Sequence, residues 1–365
     1  MLTIIAFILI LGLIIFCHEL GHFLVAKRAG MRVDEFGFGF PPRIVGWKRG
    51  NTVYSLNWIP LGGFVRIKGE NGEEAWDADS FGAKSWLRRS AVLLAGVTMN
   101  VMLAFALFTG GYLLGVPQAL DSLPAGAIVS GHSIKAGLVL SGSPAEKGGL
   151  QSGDTLIALN GAAVTGSEEL RSAIRSGEGG ISVRVQRDGA EKELQLVPTV
   201  LAETKSRGIG VELIDVGTVR YPWYLAPLRG IETTVVVIGN ICVSFWQLIV
   251  GLFMGQVAPE VSGPVGIAVV TSQAVKIGFR YLIEFTALLS LNLAVLNAIP
   301  FPALDGGRFL FLIIEALRGR AVSRKIEGIA HQVGFAVLML LILAVTYRDL
   351  VRYGGAIGGF LKTLL

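Results

Sequence analysis

The chain has 365 residues, of which 52% are hydrophobic and only 16% charged. Soluble globular domains carry about 25% charged residues, so this composition argues against a wholly soluble protein and for an integral membrane protein with a soluble insert. The net charge of +5 reads in such a chain as cytoplasmic loop bias, not as a nucleic-acid footprint, and two isolated cysteines, Cys17 and Cys242, make neither a disulfide framework nor a cysteine metal site.

Residues 2–26 open the chain as an apolar run of membrane-spanning length. No basic segment precedes the run and no small-residue cleavage site follows it, so it reads as a retained helix and not a signal peptide. Inside it stand His18, Glu19 and His22. Positions i and i+4 share a helix face, so His18 and His22 can present both imidazoles to one cation. Glu19 can reach a water bound to that cation. This is the HExxH pattern of zinc hydrolases, in which the metal lowers the pKa of its water and the carboxylate takes the proton. Ionisable groups in a spanning helix are costly and point to function.

Residues 27–89 hold eleven Lys/Arg against seven Asp/Glu, which marks them as cytoplasmic and puts the N-terminus outside. Within them FGFGF (36–40) and TVYSLNWIPLGGFVRI (52–67) alternate as strands of a hairpin do. A second span, 91–116, then delivers residues 117–229 to the exterior. That region is polar, glycine-rich and strand-like. Its stretch VLSGSPAEKGGLQSGDTLIALNGAAVTGSEELRSAI (139–174) carries tight-turn glycines, an Asn-Gly pair and a helical SEELRSAI, followed by the alternating ISVRVQRDG. Over roughly 127–213 it resembles a PDZ domain, a fold that binds peptides by adding a strand to a sheet edge. Gly208, Ile209, Gly210 and Val211 resemble the carboxylate-loop strand lining the groove of a permuted bacterial PDZ domain.

Two more spans are expected at 281–299 and 328–347, with four basic residues in 318–325 on the cytoplasmic side. A catalytic zinc usually has three protein ligands and one open position. The remaining histidines are poor third ligands, because His132 is in the external domain and His331 is where the last helix begins. SLNLAVLNAIPFPALDGGRF (290–309) is the better source: Pro300 and Pro302 break the helix and open a gap, and Asp305 follows, ahead of Gly306 and Gly307. Glu284, the acidic residue inside the later spans, is the other choice. A fifth apolar stretch, 231–253, competes as a span. One crossing there would put Asp305 on the outer side, away from His18 and His22, although ligands must approach one metal to about 2 Å. The stretch is therefore expected to lie along the outer interface or re-enter, leaving four crossings.

Together HELGH (18–22), FGFGFPPRI (36–44), YSLNWIPLGGFVRI (54–67), the PDZ-like segment, SGPVGIA (262–268) and NAIPFPALDGG (297–307) resemble the site-2 protease family of intramembrane zinc metalloproteases, in its bacterial sigma-factor-regulating, single-PDZ form. The chain departs from the family in having no Gly-Pro before Asn100 and in carrying Arg308 where many members have His. The resemblance implies Zn2+ held by His18, His22 and Asp305, with Glu19 as catalytic base and Asn297 in active-site or substrate contacts. It implies that the strand-like loops clamp substrate by strand addition, through Gly37, Gly39, Tyr54, Leu56, Gly62, Gly63 and Phe64. The implied fold is membrane α-helical, with four transmembrane helices, a membrane-associated β-hairpin region and an inserted extracytoplasmic PDZ (α+β) domain. Its expected parts are 1–116, 117–220, 221–278 and 279–365. The implied activity is zinc-dependent intramembrane endopeptidase action on single-span membrane proteins, such as anti-sigma factors or signal-peptide remnants. The implied setting is multi-pass in a bacterial cytoplasmic (inner) membrane, with the PDZ domain and both termini extracytoplasmic; lipid is a partner and nucleic acid is not. The alternative is a non-catalytic membrane PDZ scaffold with a structural metal, which would need a fourth protein ligand.

Overall fold

The opening apolar run folds as helix α1, Leu2–Arg28. Lys27 and Arg28 close it with positive charge at the negative end of the helix dipole. Gly30, at φ 70°, turns the chain out, and Met31 N–H reaches back to Ala26 O at 2.9 Å. In this computed structural model the described residues are all but 1, 71–76, 121–122, 141, 178, 188, 201–205, 256–262, 321 and 363–365. They form two units, Met1–Gly111 with Pro227–Leu365, and Tyr112–Ala226.

In the first unit, α1 leads into two long strands, β1 (Val33–Arg49) and β2 (Thr52–Ile67). Their register is split. Phe36 lies opposite both Val65 and Tyr54, Gly37 opposite both Phe64 and Ser55, and Phe38 opposite both Gly63 and Leu56. The second half of β1 meanwhile pairs with the first half of β2, from Arg43 opposite Asn57 to Arg49 opposite Thr52. Two strands thus build a sheet four segments wide, in the order 43–49, 52–57, 33–38, 63–67. The bend needs Gly39, which sits at φ 80°, and Asn57, whose side-chain amide donates to Gly39 O at 3.1 Å. Among the described residues no strand pairs with the outer edge of 63–67.

Helix α2, Trp86–Leu114, runs from this sheet into the inserted unit. The chain returns as α5 (Ala226–Phe253), α6 (Pro264–Ile277), α7 (Phe279–Ala298), α8 (Asp305–Arg318) and α9 (Arg324–Lys362). Among the described residues α1, α2, α5, α7 and the Lys325–Arg352 part of α9 are long and apolar enough to cross a membrane. The competing stretch 231–253 lies within α5. Buried polar contacts tie the helices together. Ser290 Oγ donates to Asn100 O at 2.9 Å, joining α7 to α2, and Arg89 forks onto the Glu315 carboxylate, joining α2 to α8. The Asp349 carboxylate accepts the Gly263 and Gly266 amides at 2.9 and 2.7 Å, capping α6 from α9.

The second unit holds strands β3 (Val116–Ala119), β4 (Ile128–Val139), β5 (Thr155–Leu159), β6 (Ala162–Ala163), β7 (Ile181–Arg187), β8 (Ala190–Leu196), β9 (Thr199–Val200), β10 (Arg207–Gly208) and β11 (Val211–Arg220), with helices α3 (Pro144–Lys147) and α4 (Ser167–Ser176). Its main sheet runs β3-β11-β4-β5-β7-β8, with β6 on β5. Alternate residues of β7, Ile181, Val183 and Val185, point inward onto Leu170 and Ile174 of α4, as period-2 and period-4 patterns require.

Candidate metal centre

Two glycines let α1 and α2 approach closely enough to enclose the histidines. A Cβ at Gly21 would lie 2.8 Å from the Ala95 carbonyl carbon, and one at Gly96 would lie 2.6 Å from His18 Cε1. Only a residue without a side chain fits at either position. Gly96 is one turn before Asn100, on the same face of α2.

His18 and His22 are both buried. Their Nε2 atoms are 3.2 Å apart. Asp305 Oδ2 stands 3.0 Å from His18 Nε2 and 3.3 Å from His22 Nε2. Zinc bonds of about 2.0–2.1 Å in a tetrahedron give ligand–ligand edges of about 3.3 Å, so the three separations match one face of such a site. Among the described residues this is the one His/Cys/Asp/Glu group of three that could hold a metal ion. The other nitrogen of His22 is engaged as ligating histidines require: Nδ1–H donates to Val92 O at 2.8 Å. Nδ1 of His18 faces the Asn100 side-chain amide at 3.4 Å.

Asp305 is delivered by a backbone built around absent side chains. Gly306 and Gly307 open α8, and a Cβ there would meet the main chain of Ala298 and Phe301. Asn297, the penultimate residue of α7, brings Nδ2 to 3.5 Å from His18 Nε2.

A cavity of 620 Å³ is lined by His18, Glu19, His22 and Asp305 together with Phe64, Val65, Arg66 and Ile67 of the sheet edge. A Cβ at Gly63 would sit 3.3 Å from Glu19 Cγ and 3.1 Å from Gly37 O, so the edge strand runs directly past the glutamate. Arg308 and Glu70 pair with each other and also line this cavity.

Of the sequence-selected residues, the structure brings together His18, Glu19, His22, Asp305, Asn297, Gly63 and Phe64. Others lie deeper in the sheet. Gly37 packs under the Phe64 ring, Gly39 forms the bend, and Gly62 packs against Phe40. Tyr54 stacks on Trp47 with ring centroids 6.1 Å apart, and Leu56, opposite Phe38, is 39% exposed. Glu284 is on the second turn of α7, about four turns before Asn297, so it is remote from the three ligand atoms. His132 pairs with Asp215 at 2.8 Å in the inserted unit. Sequence reasoning overlooked Gly96 and the Val92 carbonyl; the only trace of the former was a small residue four positions before Asn100.

In the inserted unit Ile209 is a core residue, 3% exposed, and its side chain does not line an open groove. Gly210, at φ 75°, packs on Ser143, and Val211 pairs with Val139. Helix α4 packs along β10, at Arg207 and Gly208, and along β11. Arg171 of α4 donates to Leu213 O at 2.9 Å, and the Ser167 amide and hydroxyl donate to Asp215. Burial raises the Asp215 carboxyl, but hydrogen bonds from Ser167 and His132 outweigh it and hold the group below the usual carboxylate range.

The model of peptidase family M50 matches residues 6–341. Zinc metalloprotease RasP of Oceanobacillus iheyensis is 30% identical, covering 96% of this chain and 99% of the relative. The RasP of Geobacillus kaustophilus is 32% identical, over 96% and 98%. The regulator of sigma-W protease RasP of Bacillus subtilis is 29% identical, over the same shares. Among solved structures the PDZ domain of an SdrC-like protein from Listeria monocytogenes matches 24% of this chain and 92% of its own, at 20% identity and a TM-score of 0.22.

Proposed function

The chain belongs to peptidase family M50 and is a zinc metalloprotease of the membrane; from that premise we propose that it cuts the transmembrane segments of single-span membrane proteins. One observation carries the reading of the site: three ligand atoms, from α1 and from the start of α8, lie 3.0–3.3 Å apart inside a chain of membrane-length helices. His18, His22 and Asp305 would hold the ion and leave one position open. Bound zinc would lower the pKa of a water and polarise the scissile carbonyl. Glu19 would take the proton from the attacking water and return it to the leaving amide nitrogen. Asn297, beside His18, would donate to the substrate carbonyl.

A helical peptide bond in lipid is shielded by its own hydrogen bonds, so the substrate must unwind before it is cut. The unpaired edge of 63–67 supports the way this occurs. An extended substrate added there would pair its freed main-chain groups with the alternate outward-facing N–H and C=O groups of 63–67, and would run past Glu19.

Depth along the helices favours four crossings. From His331 beside the site, α9 rises about 27 Å to Asp349, which caps α6, so α6 begins at the outer face. Helix α5 begins there too, because Gly230 packs on Thr109, about 20 Å above Gly96 along α2. If α5 crossed, the ten steps from Phe253 to Gly263 would have to return across about 30 Å of hydrocarbon, which ten residues cannot span as a helix at about 1.5 Å each and could span extended only with amides that lipid leaves unsatisfied. We therefore read α5 as lying on the outer interface. Both termini and the inserted unit are then extracytoplasmic, in a bacterial inner membrane. We read that unit as a PDZ domain acting as a size filter, because Arg171 already engages the Leu213 carbonyl that a docked peptide would use.

The experiment uses the purified full chain and a single-span substrate in detergent. Cleavage should stop on chelation, return with stoichiometric zinc, and map inside the substrate's apolar span. Cleavage that survives chelation, or that maps outside the span, would overturn the proposal.

A further inference from the structure

The third ligand comes on a turn that its own residues disfavour. Ala303 sits at φ 84°, where Cβ crowds the backbone of any L-residue. A residue persists there only when its surroundings over-determine it. The surroundings are one face of α9. The Ala303 amide donates to His331 Nδ1 at 2.9 Å. Three residues on, Gly334 packs so closely that a Cβ would lie 2.7 Å from the Pro302 carbonyl carbon. A backbone N–H can only donate, so Nδ1 is the bare ring nitrogen and Nε2 carries the proton. Nε2 is directed toward Glu327, one helical turn earlier, with its Oε1 4.0 Å away.

We infer that His331 is a positioning residue of the metal centre: through Nδ1 it holds Ala303 in the left-handed turn that aims the Asp305 carboxylate, two residues later, at His18 and His22. It neither ligates the metal nor acts on substrate in this role; it acts through a backbone amide. The inference rests on the proposed zinc site and adds α9 to the elements that assemble it. Without the acceptor, Ala303 relaxes toward negative φ and the carboxylate leaves the common point of the two imidazoles.

The test is zinc affinity, measured on the purified full chain by competition with a chromophoric chelator. His331→Phe keeps the ring and removes the acceptor, and should weaken zinc binding about 10- to 100-fold, the range for lost supporting contacts. His331→Asn sets an oxygen acceptor near the place of Nδ1 and should bind zinc as the wild type does. The deciding variant is His331→Phe with Ala303→Gly. Glycine adopts positive φ freely, so the turn no longer needs to be held and most of the affinity should return. Wild-type affinity in His331→Phe, or no recovery in the double variant, would overturn the inference. If His331→Phe alone does not accumulate as folded protein, recovery of folded, zinc-binding protein on adding Ala303→Gly supports it and failure to recover overturns it. The zinc site itself has its own control: undiminished zinc binding by Asp305→Ala would sink that reading, an outcome distinct from any His331 result.

Discussion

Among the described residues of the inserted unit fourteen buried apolar side chains, from Ile134 to Leu213, make one cluster, and its strands and α4 are the elements such a cluster needs. In the membrane unit the helices bearing the site are apolar, and few of their residues are fully buried: 28% over the most apolar stretch of α1 and 6% over that of α9. What locates the site there is a small set of polar contacts and missing side chains, namely Gly21, Gly96, Gly306 and Gly307, the Val92 carbonyl on His22, and Ser290 on Asn100. Lipid supplies no hydrophobic drive between helices, so close packing and buried hydrogen bonds must set their positions. The two regions should therefore fail differently, one by losing fold and the other by losing geometry.

The largest effect should come from a change that disturbs neither. Glu19→Gln removes the base while leaving both imidazoles and Asp305 in place. Zinc content should stay at one equivalent, and kcat should fall about 10³- to 10⁴-fold, at the upper end of what a general base contributes. Residual activity near that of wild type would remove Glu19 from the mechanism. Next is Gly96→Ala. One methyl forced against the His18 ring should lower zinc affinity by at least about tenfold while circular dichroism and detergent behaviour stay unchanged. An equal loss of folded protein would mean that Gly96 serves packing alone.

The sheet edge comes third. Val65→Pro removes one main-chain donor from 63–67. If substrate adds to this edge, KM for a single-span substrate should rise by about tenfold, roughly one hydrogen bond of 1–1.5 kcal/mol, with zinc affinity unchanged. An unchanged KM would point substrate elsewhere. In the inserted unit, Leu170→Ala should cost about 2–5 kcal/mol of local stability, read as faster proteolysis of residues 112–226 within the full chain, and leave the metal untouched. Loss of zinc in that variant would contradict the independence of the two regions.

The smallest effect is electrostatic. Burial raises the Asp154 carboxyl, but the Arg187 guanidinium and the Gln151 amide outweigh it and hold it below the usual range. A depressed folded-state pKa gives stability that is complete above the unfolded value of about 3.9 and is lost as pH falls through the folded value. Proteolytic resistance of the inserted unit should thus decline on acidification below about pH 4, and less steeply in Asp154→Asn. Equal slopes would show that Asp154 contributes little.

The sequence carried the local part of this account. Two histidines four apart on a helix share a face, and a carboxylate after Pro300 and Pro302 and before two glycines is a candidate ligand at a broken helix. Relations set by docking were not visible. A lone Gly96 in an apolar helix is indistinguishable from ordinary small-residue usage, and nothing periodic links Ala303 to His331, 28 positions away. Alternation indicated two strands, but not that each bends so that 33–38 takes partners on both sides. Nor did the likeness of GIGV to a PDZ carboxylate-loop strand reveal where its side chains go: Ile209, assigned to the groove by that likeness, packs in the core. The inserted unit was easier to read because its turns announce themselves through Gly and Asn-Gly, whereas lipid-facing helices announce only their length.

The central claim is that two imidazoles and one carboxylate share a single zinc. X-ray absorption at the zinc edge of the purified protein tests it directly. The account predicts a four-coordinate site of nitrogen and oxygen ligands at about 2.0–2.1 Å, with the scattering signature of two imidazoles and no sulfur. A sulfur shell at about 2.3 Å, which would bring in the neighbouring Cys17, or fewer than two imidazoles, would contradict it.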